Sequence, residues 1–111
     1  MKSQALYETL WQAGQGREED IVLRCGDKSL SYGALFQGIL QAEAGLRALG
    51  VGPGELVTLF SLNTPEAVMA FYAIDRIGAV ANWVDMKVSP AEVEEYLTQA
   101  GSRVALVLEV A

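Results

Sequence analysis

Three glycines at alternate positions, Gly50, Gly52 and Gly54, have the spacing of a loop that could bind phosphate. They surround Pro53 and stand directly before the apolar run "ELVTLF". A glycine-rich loop cradles phosphate when it leaves a strand and enters a helix, because its amides and the positive end of the helix dipole then face the anion. Here a helical pattern precedes the loop and a strand-like run follows it. The glycines are therefore predicted to form a compact helix-to-strand turn.

The numbers of cysteine and histidine residues limit the nucleophilic and metal chemistry that this chain could perform. The chain has one cysteine, Cys25, and no histidine among its 111 residues. Without histidine there is no base to activate Cys25, no Ser-His-Asp triad and no histidine metal site within this chain. No intrachain disulfide is possible, and no apolar segment follows a basic start at the N-terminus, so a cytoplasmic location is expected. We predict no catalytic residue, no cofactor-binding residue and no metal ligand in this chain.

Polar residues at the carboxyl ends of predicted strands are the remaining candidates, because ligands of parallel α/β sheets bind there. In chain order they are Ser61, Asn63, Thr64, Asn82, Asp85 and Lys87. Asn63 and Thr64 are expected to serve the turn and the cap of the next helix. Asp85 could be a metal ligand or a phosphoryl acceptor, but no partner acids stand at ligand spacing, which favours a solvated or capping carboxylate. Trp83 is expected in the core.

A helix and a hairpin lead into the chain. Ser3 is expected to cap a first helix that is followed by Gly14. The runs at residues 21–24 and 29–31 flank the turn-rich sequence "CGDK" and are predicted to pair as a short hairpin.

The second helix is predicted to begin after Ser31, which is a good N-cap. Apolar residues recur at steps of three or four and define its buried face: Leu35, Ile39, Ala42, Leu46 and Leu49. Gly50 stands where a left-handed residue ends a helix, and Val51 can make the hydrophobic contact that accompanies such an ending.

From Glu55 onward the order is strand, helix, strand, helix, strand, which predicts a parallel sheet with right-handed crossovers. The helix "PEAVMAFYAIDRI" is apolar on most of its circumference, so it is expected to be covered on more than one side, in part by a larger protein. Ser89 and Glu92 form a capping box for the last helix, and Glu94 and Glu95 extend its exposed face. The predicted fold is α/β: a helix–hairpin–helix lead-in followed by a βαβαβ parallel three-layer, all within one domain over residues 1–111.

Composition limits the partners. The chain carries 14 acidic and 8 basic residues, a net charge of −6. Such a balance disfavours binding to nucleic acid or to an anionic membrane. No apolar run approaches the roughly 18 residues of a transmembrane helix. The hydrophobic content of 51% is slightly above ordinary usage and indicates more apolar surface than a small domain hides, so self-association is expected.

The order of these landmarks resembles a known family. The segments "GDKSLSYGAL", "AGLRALGVGPGELVTLFSLNTPEAVMAFYAIDRIGAVANWVD" and "SPAEVEEYLTQAGSRVALV" are similar to the N-terminal portion of the adenylate-forming synthetases, the AMP-dependent acyl-CoA synthetases and ligases. "SYG" opens a helix that "LGVGPG" closes, and "NTPE" opens the next helix, which "IGAV" closes. The resemblance runs from about residue 21 onward. One departure is local: the family commonly has an Asn-Pro-like turn where this chain reads "NWVDMKVSP".

The resemblance implies a two-step ligase that uses ATP, Mg²⁺ and coenzyme A. A carboxylate attacks the α-phosphate of ATP to form an acyl-adenylate, and a thiol then displaces AMP. The family's phosphate loop, its ribose-binding acid and its lid lysine all lie beyond the matching segment. No catalytic or ATP-binding residue therefore passes to any position of residues 1–111.

The favoured hypothesis is an N-terminal piece of such a ligase that is not catalytic by itself. Its partners would be the remainder of the parent enzyme and, through apolar surface, other copies. Two alternatives stay open: a stand-alone interaction module with the same fold, and a small flavodoxin-like binding or receiver domain that uses Asp85.

Overall fold

The chain folds as a helix–hairpin–helix segment followed by a parallel βαβαβ unit, which confirms the predicted fold class. The computed structural model describes residues 5–25, 27–60, 64–84, 89–101 and 104–107. The elements are α1 (Ala5–Gly14), β1 (Ile21–Cys25), β2 (Lys28–Ser31), α2 (Tyr32–Ala48), β3 (Leu56–Phe60), α3 (Pro65–Ile77), β4 (Val80–Val84), α4 (Pro90–Ala100) and β5 (Val104–Val107). The β1–β2 hairpin is antiparallel, and β3 pairs in parallel with both β4 and β5.

Side-chain caps begin α2 and α3 where the sequence predicts them. The Oγ of Ser31 accepts a hydrogen bond from the amide of Ala34 at 3.2 Å. The Oγ1 of Thr64 accepts from the amide of Ala67, also at 3.2 Å. Each cap satisfies an amide that has no partner inside the helix. The cap predicted at Ser3 lies outside the described residues.

The predicted capping box begins α4. The amide of Ser89 donates to Glu92 Oε1 at 3.0 Å, and the amide of Glu92 donates to Ser89 Oγ at 3.3 Å. The backbone hydrogen bond from Ser89, with a further side-chain bond, lowers the pKa of the Glu92 carboxyl. Glu94 and Glu95 are exposed, so this acidic face is a solvated helix surface, as predicted.

β3 is the central strand of the parallel sheet, whose order is β4-β3-β5. α3 leads from β3 to β4, whereas α4 leads from β4 across to β5 on the far edge. Crossovers that run in opposite directions and share the right-handed sense lie on opposite faces of a sheet. β3 is accordingly buried on both faces; its residues with at most 1% exposure are Val57, Thr58, Leu59 and Phe60.

α3 is covered on more than one side, as its composition predicts, but α2 supplies much of the cover from within this chain. Val57 of the sheet packs in one cluster with Ala73, Ile74 and Ile77 of α3 and with the inner face of α2. Glu66 is the one exposed residue of α3. The observed packing therefore does not require a larger protein to cover this helix.

The predicted buried stripe of α2 is wrong at its last position. Leu35, Ile39 and Leu46 are at most 3% exposed, but Leu49 is 57% exposed. Leu49 is the C-cap residue, with φ −82° and ψ −1°, so the chain leaves the helical path there. Val51, at 4% exposure, occupies the buried position instead.

Candidate functional site

The glycine turn closes α2 with a Schellman motif. Gly50 has φ 86°, in the left-handed region. Its amide donates to the carbonyl of Arg47 at 2.9 Å, and the amide of Val51 donates to the carbonyl of Leu46 at 3.1 Å. These two bonds define the motif, and Val51 supplies its hydrophobic contact. The predicted helix ending at Gly50 is confirmed.

The amides of all three glycines already have acceptors inside the protein. Besides the Gly50 bond, the amide of Gly52 donates to Glu55 Oε1 at 3.2 Å. The amide of Gly54 donates to the carbonyl of Gly78 at 2.9 Å. An anion would have to displace these acceptors, one of which is a carboxylate. The turn therefore does not fit ATP phosphates, and it faces the negative end of α2.

The same turn fastens the start of β3 to the start of β4. The Gly54–Gly78 bond is followed by a bond from the amide of Val80 to the carbonyl of Glu55 at 2.8 Å. The register of the two strands continues from there, with Leu56 opposite Val80. The glycine loop thus links the first residues of β3 and β4 at the amino edge of the sheet.

The carboxyl edge of the sheet is the place where parallel α/β folds bind ligands, above all where the strand order reverses, here between β3 and β5. Of the candidates, Thr64 caps α3, and Asn82 lies half-buried in the middle of β4 beside Thr58 of β3. The other four lie outside the described residues: Ser61, Asn63, Asp85 and Lys87.

Trp83, expected in the core, is only partly buried and packs against the core from its edge. Its ring lies 5.8 Å from that of Phe71, and both rings cover a buried cluster of Leu59, Ala67 and Ala70. The backbone of Cys25 ends β1, and its side chain lies outside the description. In the described ranges, His, Cys, Asp and Glu side chains form no group of three or more that could hold a metal ion.

The most connected charged group of the described chain is one that sequence reasoning missed. Arg76 of α3 donates from Nε to Glu43 of α2, and Arg47 donates to the second oxygen of Glu43 at 3.0 Å. The guanidinium of Arg76 also lies over the ring of Tyr7 in α1, 4.5 Å from its centroid. Glu43 and Arg47 are spaced i, i+4, a spacing that predicts an ion pair on one face of a helix. The approach of Arg76 from 33 residues away depends on the α2–α3 packing.

The electrostatics of this group are those of a structural ion pair. Partial burial raises the pKa of Glu43, but the hydrogen bonds from Arg76 and Arg47 outweigh it and hold that pKa below its ordinary value. The hydrogen bond to Glu43 raises the pKa of Arg76. Both side chains stay charged near neutrality, which suits them to hold helices together and not to transfer protons.

Comparison with known proteins shows the family of this chain. Residues 10–111 match the family described as AMP-binding enzyme. The chain belongs to this family. It is 34% identical over 79 residues to a 3-hydroxybenzoate–CoA/4-hydroxybenzoate–CoA ligase of Thauera aromatica, a match to 71% of this chain and 15% of that protein. It is 33% identical over 76 residues to a long-chain-fatty-acid–CoA ligase of Thermus thermophilus, covering 68% of this chain and 14% of that one.

Solved structures of AMP-binding enzymes share the fold. A superposition on an anthranilate CoA ligase in complex with anthranoyl-AMP covers 96% of this chain and 22% of that one, with a TM-score of 0.80 at 27% identity. A benzoate CoA ligase of Burkholderia xenovorans gives a TM-score of 0.78 at 26% identity, covering 95% of this chain and 21% of that chain. The chain corresponds to the N-terminal part of such ligases and spans about a seventh of the length of the two curated relatives.

Among the described residues, the amides of the glycine turn are bonded to acceptors within the protein, and His, Cys, Asp and Glu side chains form no group of three or more that could hold a metal ion. Among the described residues, no helix has the length and hydropathy needed to cross a membrane.

Proposed function

We propose that this chain is the N-terminal portion of an AMP-forming acid–thiol ligase. The whole enzyme would join a carboxylate to AMP from ATP, release pyrophosphate, and pass the acyl group to the thiol of coenzyme A. The match of residues 10–111 to the AMP-binding enzyme family carries this proposal. The named relatives act on substrates as different as hydroxybenzoate and long-chain fatty acids, so the proposal stops at a carboxylate.

In this enzyme the chain would supply a scaffold layer. β3 is buried on both faces, and α2 and α3 cover one of them, which makes a rigid base for residues at the carboxyl edge. ATP, Mg²⁺ and coenzyme A would be held by other parts of the ligase. We propose that residues 1–111 fold as one domain in the cytoplasm.

The test is the reading frame that encodes this segment and the activity of its complete product. We expect the frame to continue into a Ser/Thr/Gly-rich loop and a late lysine. The complete product should form AMP and pyrophosphate from ATP only when a carboxylate is present, across a panel of aromatic and aliphatic acids. The isolated 111-residue chain, assayed beside it for ATP–pyrophosphate exchange, should show none.

Two outcomes would contradict the proposal in different ways. An authentic stop directly after Ala111 would favour the stand-alone interaction module. Exchange activity in the isolated chain would show that a catalytic site had been overlooked.

We also propose that the isolated chain self-associates. Large apolar side chains with at least 45% exposure are spread over its surface: Leu6, Trp11, Ile21, Leu40, Leu49 and Val80. α3 is covered within the chain and does not contribute to this surface. Size-exclusion chromatography with light scattering should show mass rising with concentration, and a monodisperse monomer at high concentration would refute it.

A further inference from the structure

The first helix is short and depends on the surface against which it packs. α1 spans 10 residues, Ala5–Gly14, and helices of fewer than about 12 to 15 residues are marginal in water on their own. Leu6 on its outer side is 52% exposed, whereas Trp11 on its inner side is 45% exposed and has its ring 4.8 Å from that of Phe36 in α2. The helical state of α1 therefore rests on the contacts that its inner side makes with α2 and α3.

Those contacts converge on Tyr7, which is 7% exposed. Its amide, in the first turn of α1, donates to Asp75 Oδ2 at 2.9 Å. Its ring lies under the guanidinium of Arg76, 4.5 Å from centroid to Cζ, and 6.2 Å from the ring of Phe36 in an edge-on arrangement. A carboxylate at a helix N-terminus stabilises the helix, because it meets the positive end of the dipole.

The face that receives α1 is held by other interactions. Ala73, Ile74 and Ile77 pack α3 into the main core, and Arg76 is bonded to Glu43 of α2. Loss of α1 would leave these contacts in place. We therefore expect the surface of α2 and α3 that receives α1 to form without that helix.

The loop after α1 offers a hinge. Gly16 has φ 75°, and a Cβ placed there would meet no atom within 4 Å. Beyond it the chain is fastened again, since the amide of Gly33 donates to the carbonyl of Glu18 and the amide of Tyr32 donates to that of Asp20. Movement at Gly16 would free α1 without disturbing the hairpin.

We propose that α1 is a strap that closes over the α2–α3 pair through Tyr7, Asp75 and Arg76, and that it opens as a unit while the sheet stays folded. Opening uncovers Phe36 and the Arg76–Glu43 pair. This inference concerns the chain's own dynamics and does not depend on the proposed ligase activity.

Amide hydrogen exchange of the 111-residue chain, followed by mass spectrometry or NMR, tests the strap. We expect amides at residues 9–14 to exchange faster than those of β3, and Asp75→Ala to accelerate them by about tenfold while β3 keeps its wild-type rates. Tyr7→Ala, a substitution within α1 itself, should act in the same way. Asp20→Ala is the matched control, because it removes a carboxylate from an exposed pair with Arg17 and should leave α1 unchanged.

A fluorescence measurement gives an independent readout. In a Trp83→Phe background Trp11 is the one remaining tryptophan of the chain. Asp75→Ala should then make Trp11 more accessible to acrylamide. The proposal is overturned if residues 9–14 and β3 exchange at one common rate, or if the Asp75 and Tyr7 variants accelerate both equally, since α1 would then open only with global unfolding.

Discussion

The amide of Gly54 donates a hydrogen bond to the carbonyl of Gly78 at 2.9 Å, so the turn before β3 is tied to the turn before β4. Both glycines are left-handed, with φ 79° and 85°. The pair shows what the glycine loop contributes to the fold. It brings two parallel strands into register at the point where each begins.

Gly54→Ala should lower the free energy of unfolding by about 1 to 2 kcal/mol, because an L-residue is strained in the left-handed region. A Cβ at Gly54 would meet nothing within 4 Å, so the cost is one of backbone conformation alone. Gly52→Ala is the matched control, since Gly52 also has open space and its φ is not positive. Urea unfolding of both variants checks this, and equal losses would contradict it.

Gly45→Ala should raise the free energy of unfolding by about 0.5 to 1 kcal/mol, because alanine is the better residue in an exposed helix interior. A Cβ there would meet nothing within 4 Å. At Gly14, by contrast, a Cβ would lie 2.7 Å from the Tyr32 ring and 2.8 Å from the Phe36 ring. Gly14→Ala should therefore lower stability by about 1 to 3 kcal/mol. Thermal and urea unfolding should show that the two substitutions change the free energy of unfolding in opposite directions.

Thr58→Val should leave stability unchanged or raise it by about 1 kcal/mol. Thr58 is fully buried in β3, and its Oγ1 has no hydrogen-bond partner, so an isosteric apolar side chain removes an unsatisfied group. The same substitution at Thr64 removes the cap of α3 and should cost about 1 kcal/mol. A comparable loss of stability at both positions in equilibrium unfolding would contradict this, because it would mean that Thr58 Oγ1 has a hydrogen-bond partner in solution.

Acid should weaken the link between α2 and α3. Burial raises the pKa of Glu43, but Arg76 and Arg47 together outweigh burial and hold the folded-state pKa below its ordinary value. The ion pair therefore contributes stability that is fully present above the unfolded pKa and is lost as the pH falls through the folded one. We expect Glu43→Gln to cost about 1 to 2 kcal/mol at pH 7 and progressively less below about pH 4.5. Urea unfolding across this range checks it, and a cost independent of pH would contradict the charge-based account.

Much of the fold could be predicted from local sequence. Caps at Ser31, Thr64 and Ser89 and left-handed glycines at Gly50 and Gly78 fix where helices begin and end, because each satisfies backbone groups within a few residues. The failure at Leu49 is also local in origin. Periodicity assumes a continuing helix, whereas the Schellman turn redirects the chain and gives the buried place to Val51.

For the candidate site, sequence order alone was enough to reject a phosphate loop, since a loop that follows a helix faces the negative end of its dipole. The acceptors of the Gly52 and Gly54 amides add the geometric reason. No local sequence pattern predicted that Tyr7, Glu43 and Arg76 would come into contact. Their positions lie far apart along the chain, and their contacts exist only because α1 and α2 pack on α3.

The sequence by itself therefore determined the elements, their order, the parallel class of the sheet and the family, because these follow from short-range hydrogen bonding, hydrophobic period and the order of landmarks. Only the tertiary structure decided which strand is central, that α2 covers α3, and that Arg76 joins three helices. Those features arise from long-range packing, where the burial of apolar surface and the pairing of half-buried charges depend on residues that no local pattern brings together.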